Sequence, residues 1–345
     1  MRVGILTGAS SQYGRGHLSR QLTFCRHLVG TGHEVLLVTN RPDPATARPP
    51  NITILERDTL SHVSAADAIS ELHDLACERI VVDLPDAISA LLPDTTAHLV
   101  DLAFVAPGTR HALPTRAYVE VGGDLDSVVT HATESHRGRQ LHVHAGRGFV
   151  TFGDEYANVP VPIDARAEDH VLVTHGGADP WNLTQRTMLA LEGCNGRYAV
   201  SVAIGPEFGG DIGVLEEMAR TSRHDVRLVR GAPSLAPFMR SASFAVINGG
   251  MTRFELCRTG TPFLAIAAND HQHQTNQDLA RLGAGIAAGL ARDLSDGDVA
   301  GIVDTLMNDR ARRGTMSNVM AALFDDRGVV RLEEALCDPE SPVQP

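Results

Sequence analysis

Two stretches decide the fold: Val3-Gly-Ile-Leu-Thr7 running into Gly14-Arg-Gly16-His17-Leu-Ser-Arg20, and Val171-Leu-Val-Thr174 running into His175-Gly176-Gly177-Ala-Asp-Pro-Trp-Asn182. Each is a short apolar run, then a glycine-rich turn, then a segment of helical period, the sequence form of a buried parallel strand feeding a helix. Outward from them the pattern repeats. Strands are expected at Val3–Thr7, Glu34–Val38, Ile52–Leu55, Arg79–Val82 and His98–Leu102 in the first half. In the second half they are expected at Asp169–Thr174, Tyr198–Ile204, Val226–Val229, Phe244–Ile247 and Phe263–Ala267. The reading is α/β, with two doubly wound domains facing each other across a cleft, since ligands of such sheets sit beyond the carboxyl ends of the strands.

At 345 residues the chain has room for two domains. The segment Asn158-Val-Pro-Val-Pro-Ile-Asp164 places the boundary, because its prolines cannot sit in a central strand. The expected domains are 1–160 and 161–336, followed by a proline-rich polar tail, 337–345, expected to be disordered.

Composition excludes several chemistries. All 30 basic residues are arginine, so no lysine is present for a Schiff base or for a P-loop. The net charge of −12 argues against nucleic acid as a partner. The 5 cysteines are widely spaced and never form C-x-x-C, which suggests neither a zinc knuckle nor a redox pair. A hydrophobic fraction of 43% with 4% aromatics implies aliphatic cores. Met1 leads directly into the first strand and no run approaches ~20 apolar residues, so the expectation is a soluble, cytoplasmic protein without membrane insertion.

The motifs carry alternatives. Gly14-x-Gly16 can begin a dinucleotide fingerprint, but Ser19 takes the third glycine position and Asn40 stands where an acid would bind ribose. The same loop delivers His17 to the first turn of a helix, where it is either a general base or a packed histidine. Asn248-Gly249-Gly250-Met251-Thr252-Arg-Phe-Glu255 is either an ordinary turn or an anion site at a helix start, with Glu255 placed for a ribose diol. His175-Gly176-Gly177 reads the same way. The polar run Asp270–Gln277 is expected to be a ligand-facing loop. His142-x-His144, His271-x-His273 and Asp124-Leu-Asp126 do not complete a metal site, and neither a metal nor a cofactor is expected.

Gly14-x-Gly16-His17-x-x-Arg20 resembles the signature of the nucleotide-sugar hydrolase of pseudaminic acid biosynthesis, which removes UDP from a diacetamido-trideoxy-altropyranose. Three further segments agree in order: Gly153-Asp-Glu-Tyr156, Gly176-Gly177-x-Asp179-Pro-x-Asn182-Leu-Thr184, and Gly249-Gly250-x-Thr252-x-x-Glu255-x-Cys257-x-x-Gly260-x-Pro262 followed by Asn276-Gln277. The similarity covers roughly residues 1–290. The later segments are also similar to the glycosyltransferase that adds N-acetylglucosamine in the lipid II pathway, whose GT-B fold those hydrolases share.

The resemblance implies a GT-B fold and a UDP-sugar as partner. It implies that His17 activates a water, which displaces UDP from the anomeric carbon with inversion. Gly14, Gly16, Arg20, Asp83, Gln272, His273, Asn276 and Gln277 are the implied substrate contacts. Gly176, Gly177, Leu235, Gly249, Gly250, Met251, Thr252 and Glu255 are the implied nucleotide contacts. The alternatives are a GT-B glycosyltransferase with an organic acceptor and a non-catalytic nucleotide-sugar binding protein. Two departures from the family stand out. Asp83 is followed by Leu84-Pro85 where the family carries a tyrosine, and the His- and Arg-rich segment 127–150 has no counterpart, suggesting an acceptor-side or lid element.

Overall fold

The structure, a computed structural model, describes all residues except 11–14, 41–50, 90, 106–114, 121, 137–138 and 157–161; of 86, 87, 136, 139 and 271 it describes the backbone only. Gly14 and most of the expected Asn158–Asp164 linker therefore lie outside the described residues. Contacts divide the chain into two units, one holding Met1–Ala9, Arg15–Gly153 and Asp326–Pro345, the other holding Ser10 and Asp154–Asp325.

The first unit runs β1 (Arg2–Thr7), α1 (Gly16–Gly30), β2 (Glu34–Thr39), β3 (Ile52–Glu56), α2 (His62–Asp74), β4 (Arg79–Asp83), α3 (Asp86–Ser89), α4 (Asp94–Ala97), β5 (Leu102–Val105), β6 (Ala117–Glu120), β7 (Thr130–His136) and β8 (Arg139–Ala145). The second runs β9 (Ala167–Thr174), α5 (Leu183–Glu192), β10 (Ala199–Ile204), α6 (Ile212–Thr221), β11 (Asp225–Arg230), α7 (Ala236–Ser241), β12 (Ala242–Ile247), α8 (Thr252–Thr259), β13 (Phe263–Ala267), α9 (Asp270–Arg281), β14 (Ile286–Leu290), α10 (Asp296–Asn308) and α11 (Arg310–Leu323). α12 (Gly328–Cys337) returns to the first unit.

The first sheet has the order β3-β2-β1-β4-β5-β6-β8-β7 and the second β11-β10-β9-β12-β13-β14. In each, the chain winds outward from one central strand and then restarts beside it, so the order reverses between β1 and β4 and between β9 and β12. Those are the places where a doubly wound sheet opens a crevice at its strand ends. Both faces of the sheets are covered, which is why the central strands read as unbroken apolar runs. Every residue of β12 is buried, for example, and so are Val171, Leu172 and Val173 of β9. Large aliphatic and aromatic side chains, among them Ile5, Leu37 and Phe24 in the first unit and Phe244 and Phe254 in the second, are wholly buried, each worth about 1.5–3 kcal/mol of transfer free energy.

Three expectations need correction. Residues 98–101 are not strand: β5 begins at Leu102, because Asp101 turns its carboxylate back to accept the Ile80 amide at 2.9 Å and ends the preceding turn there. Asp270–Gln277 is not a loop but the first two turns of α9, capped by the Asn269 side chain accepting the Gln272 amide at 2.9 Å. The tail does not stand away from the fold. Val343 is 6% exposed within the first unit's core, and the His144 ring bonds the Pro339 carbonyl at 3.0 Å. Segment 127–150 is mainly β7 and β8, paired antiparallel, with β8 parallel to β6.

Candidate functional site

In the first unit the described site residues converge on the crevice between β1 and β4. Asp83 is the last residue of β4, in register with Thr7 at the end of β1. The first turns of α1 lie over these ends, and the spacing 17, 20, 21 puts His17, Arg20 and Gln21 on one helix face. All three meet Asp83. His17 Nδ1 lies 2.7 Å from Asp83 Oδ1, Arg20 Nε donates to Oδ2 at 2.5 Å and Arg20 Nη2 to Oδ1, and Gln21 Nε2 donates to Oδ2 at 2.9 Å. Burial pushes the Asp83 carboxyl up, but the Arg20 and His17 charges and their hydrogen bonds outweigh it and hold it well below the usual carboxylate range. Asp83 is therefore ionised and can only accept.

That fixes the histidine. Nδ1 must carry the proton that faces Asp83, and the neutral ring keeps its lone pair on Nε2, as a general base requires. Arg20 Nη2, 2.9 Å from the same Nδ1, is then an electrostatic neighbour and not a donor to it. Asp83 was expected among the substrate contacts; it is 0% exposed, and both its oxygens are engaged by side chains of α1. Arg20 is held by the same carboxylate and packs over the Phe104 ring. Asn40, at the end of β2, clamps the Ala9 backbone through two hydrogen bonds of 3.1 and 3.0 Å, a second engagement that a dinucleotide-binding acid would not make.

In the second unit the loops after β9 and β12 flank the other crevice and are tied together. The Asn248 amide donates to the His175 carbonyl at 3.0 Å, and Gly205, after β10, lies so close that a Cβ there would meet the Gly177 carbonyl at 2.3 Å. Gly176 has φ +83°, which a side chain would strain. Gly249 is demanded by close approach, since a Cβ would lie 2.7 Å from Gln272 Cβ and 3.1 Å from Asn276 Oδ1. This brings Gly249, Gly250, Met251 and Thr252 at the start of α8 against Gln272 and Asn276 of α9. His273 pairs with Gln277 at 3.0 Å one turn along, and the exposed Gln277 lies away from the buried Asn276.

The two helix starts differ. At α5 the Asp179 carboxylate accepts the Leu183 and Thr184 amides, both at 2.8 Å, so the positive helix end is already matched by an anion. At α8 no side chain caps the start. Around it, buried polar atoms have no hydrogen-bond partner among the described residues: both amide atoms of Asn276, Asn248 Oδ1 and His175 Nδ1. Buried polar atoms are normally paired, so such a group marks a place where a ligand completes the hydrogen bonding. Burial pushes the His175 ring down to about 3, so it is neutral there.

Glu255, one turn into α8, is pushed up to about 7, first by burial and then by the nearby Glu155, against the lowering effect of a hydrogen bond from Tyr156. Tyr156 is the last residue of the Gly153-Asp-Glu-Tyr156 segment. Leu235 stands at the N-cap of α7, next to Ser234, which also bonds Tyr156. Sequence reading alone passed over Gln21, Gly205 and Ser234. The signal for Gln21 and Gly205 is position, one helical turn after His17 and directly after β10, whereas nothing in the sequence marks Ser234. Among the described residues no three His, Cys, Asp or Glu side chains are grouped to hold a metal ion, and no helix is long and apolar enough to cross a membrane.

Comparison with known proteins places this geometry in a fold. No family model matches the chain. It is 19% identical over 290 residues to the uncharacterized protein MJ1062 of Methanocaldococcus jannaschii, covering 81% of this chain and 58% of that protein. It is 22% identical over 197 residues to the spore coat polysaccharide biosynthesis protein SpsG of Bacillus subtilis, covering 54% and 57%. The chain thus spans just over half the length of these curated relatives. Among solved structures, Acinetobacter baumannii MurG superposes with a TM-score of 0.66 at 14% identity, covering 97% of this chain and 99% of that one. WaaG, a glycosyltransferase involved in lipopolysaccharide biosynthesis, gives 0.64 at 13%, covering 98% and 100%. The spinosyn rhamnosyltransferase SpnG in complex with thymidine diphosphate gives 0.63 at 18%, covering 97% and 100%. The fold is GT-B, with two Rossmann-like domains.

Proposed function

We propose that the chain is an enzyme that breaks the anomeric C–O bond of a nucleotide-activated sugar. In this reading the first unit supplies His17 as base and the second holds the nucleotide. The observation that carries it is the His17–Asp83 pair at the strand-order reversal of the first sheet, an oriented base where a doubly wound sheet binds its ligand. His17 Nε2 takes the proton of an attacking hydroxyl, the oxygen forms a bond to the anomeric carbon, and the bond to the diphosphate oxygen breaks with its electron pair leaving on the nucleotide. Attack from the face opposite the leaving group inverts the anomeric centre. A positioned base of this kind is worth about 10² to 10⁴ in rate.

Gly176, Gly177, Gly249, Gly250, Met251 and Thr252 then lie at the diphosphate, where the uncapped start of α8 stabilises the departing charge. Glu255 lies at the ribose, and Gln272 and Asn276 at the sugar or phosphates. We favour an organic hydroxyl as acceptor, because the solved proteins of this fold named above include the glycosyltransferase WaaG and the rhamnosyltransferase SpnG. Water as acceptor is the second reading. It is favoured by His17-x-x-Arg20 and Gly153-Asp-Glu-Tyr156, which resemble the pseudaminic acid pathway hydrolase. UDP is the nucleotide that both resemblances point to.

The test is nucleotide release from UDP-, CMP- and dTDP-sugars, with and without added acceptor alcohols. Release that rises sharply with an acceptor supports transfer, and equal release without one supports hydrolysis. Tight binding of a donor with no turnover under either condition sinks the enzyme reading.

A further inference from the structure

Gln21 is the one polar side chain buried on the inner face of α1, where its companions are Leu18, Phe24, Cys25 and Leu28. It is 0% exposed. The helical spacing of that face calls for an aliphatic residue at 21, because a buried amide is costly unless both of its ends are paired. Only one end is. Nε2 donates to Asp83 Oδ2 at 2.9 Å, whereas Oε1 has no partner among the described residues. Nor can the amide be turned round, since an ionised carboxylate only accepts and Oε1 has no proton to give it. A half-paired amide held in a core calls for an explanation, and the paired end supplies one.

That end adds a further donor to a carboxylate that two residues already engage. Oδ1 faces His17 Nδ1 at 2.7 Å and accepts from Arg20 Nη2, and Oδ2 accepts from Arg20 Nε at 2.5 Å. The other elements packed on β4 are β1, α2 and β5, which bring apolar side chains such as Ile5, Leu72 and Phe104 to it. Among the described residues Arg20 and His17 are thus the charged groups that act on Asp83. Each donor draws negative charge from the carboxylate, and a carboxylate with less charge to spare favours imidazolium over imidazole less strongly.

We infer that Gln21 is a positioning residue that acts through Asp83: by donating to Oδ2 it limits how strongly the carboxylate holds a second proton on His17, and so keeps the ring neutral and ready to accept one. This rests on the reading of His17 as base. Without the amide, Asp83 faces His17 with more of its charge, the imidazolium is stabilised, and the ring becomes neutral only at higher pH.

The experiment compares the full-length wild type with Gln21→Met and Gln21→Leu, each first shown to be folded by its cooperative melt. Two profiles are recorded against pH. One is nucleotide release from the best-bound donor with an acceptor alcohol present. The other is modification of His17 by diethyl pyrocarbonate without substrate, followed by peptide mass spectrometry, because that reagent attacks only the neutral ring. The expected result is that the acid-side midpoint of both profiles moves up by about half to one pH unit in each variant. The leucine variant stands in for the methionine one if that does not fold. Midpoints that stay or fall overturn the inference, as does turnover lowered equally at every pH, which is what a merely structural glutamine would give. A wild type that turns over no donor overturns the base reading instead. The modification profile then still decides the link from Gln21 to His17, upheld by an upward shift and overturned by none.

Discussion

Asp83 has both carboxylate oxygens engaged by three side chains of one helix, and this makes it the most consequential residue of the first unit. Replacing it with Asn leaves the shape but removes the charge that sets the His17 tautomer. Turnover of Asp83→Asn should fall by about 10² to 10⁴, with nucleotide affinity kept, as read from steady-state rates and UDP titration. The variant should also be less stable by about 3–5 kcal/mol in urea unfolding, since Arg20 is left without its partner. The pH dependence follows in sign. Asp83 titrates below its unfolded value, so its contribution is present above the ordinary carboxylate range and is lost as pH falls through its folded pKa. Glu255 behaves oppositely. Its folded value of about 7 stands above the unfolded 4.5, so its contribution is complete below 4.5 and is lost as pH rises through about 7. The wild type should therefore lose Tm between about pH 4.5 and 7, and Glu255→Gln should flatten that fall. An unaltered pH slope in the variant would show that Glu255 is not the group responsible.

Elements explain which parts of this were legible beforehand. Strands buried on both faces announce themselves as apolar runs, and the glycine turns after β1, β9 and β12 follow directly from them, so the doubly wound pattern and the chain positions of His17, Gly176 and Gly249 could be read from residues alone. β7 and β8 could not. Their sequences, Thr-His-Ala-Thr-Glu-Ser-His and Arg-Gln-Leu-His-Val-His-Ala, belong to an edge pair with one polar face, and polar alternation is a weak signal. β14, Ile-Ala-Ala-Gly-Leu, is short and lacks the β-branched residues that mark a strand. The polar run of α9 misleads for the reason that makes it useful: Thr275 and Asn276 are polar residues on the helix's buried face, which binary patterning assigns to a loop. At this scale Gly249→Ala is the direct probe. A methyl 2.7 Å from Gln272 Cβ must push α9 from the start of α8, so nucleotide affinity should drop by about tenfold or more while β12 and its neighbours stay folded. Unchanged affinity would mean that the α8–α9 contact is not part of the site.

Across the whole molecule, chain order and spatial unit part company at the C-terminus. α12 packs on the first unit, its Glu333 accepting from Thr31 Oγ1 at 2.8 Å and bonding His27 and His33 at 2.7 and 2.8 Å, while Leu332, Leu336 and Val343 enter that unit's core. Nothing in the composition of the tail reveals this, because its anchors are a few apolar side chains set among prolines and acids. Three such buried side chains amount to about 5–9 kcal/mol of transfer free energy, comparable with the roughly 5–15 kcal/mol stability of a whole domain. Deleting Asp326–Pro345 should therefore cost the first unit its cooperative melt while the second retains its own, as scanning calorimetry would resolve. A truncated protein that still melts like the full chain would show that α12 is an accessory. The central claim, that His17 is the base of a nucleotide-sugar enzyme, is tested most directly by ³¹P NMR of the best-bound donor, with and without an acceptor alcohol, for wild type and His17→Ala. The account predicts that free nucleotide accumulates with the wild type and not with the variant, while UDP binds both alike. Equal release by the two proteins, or loss of UDP binding on substitution, would contradict it.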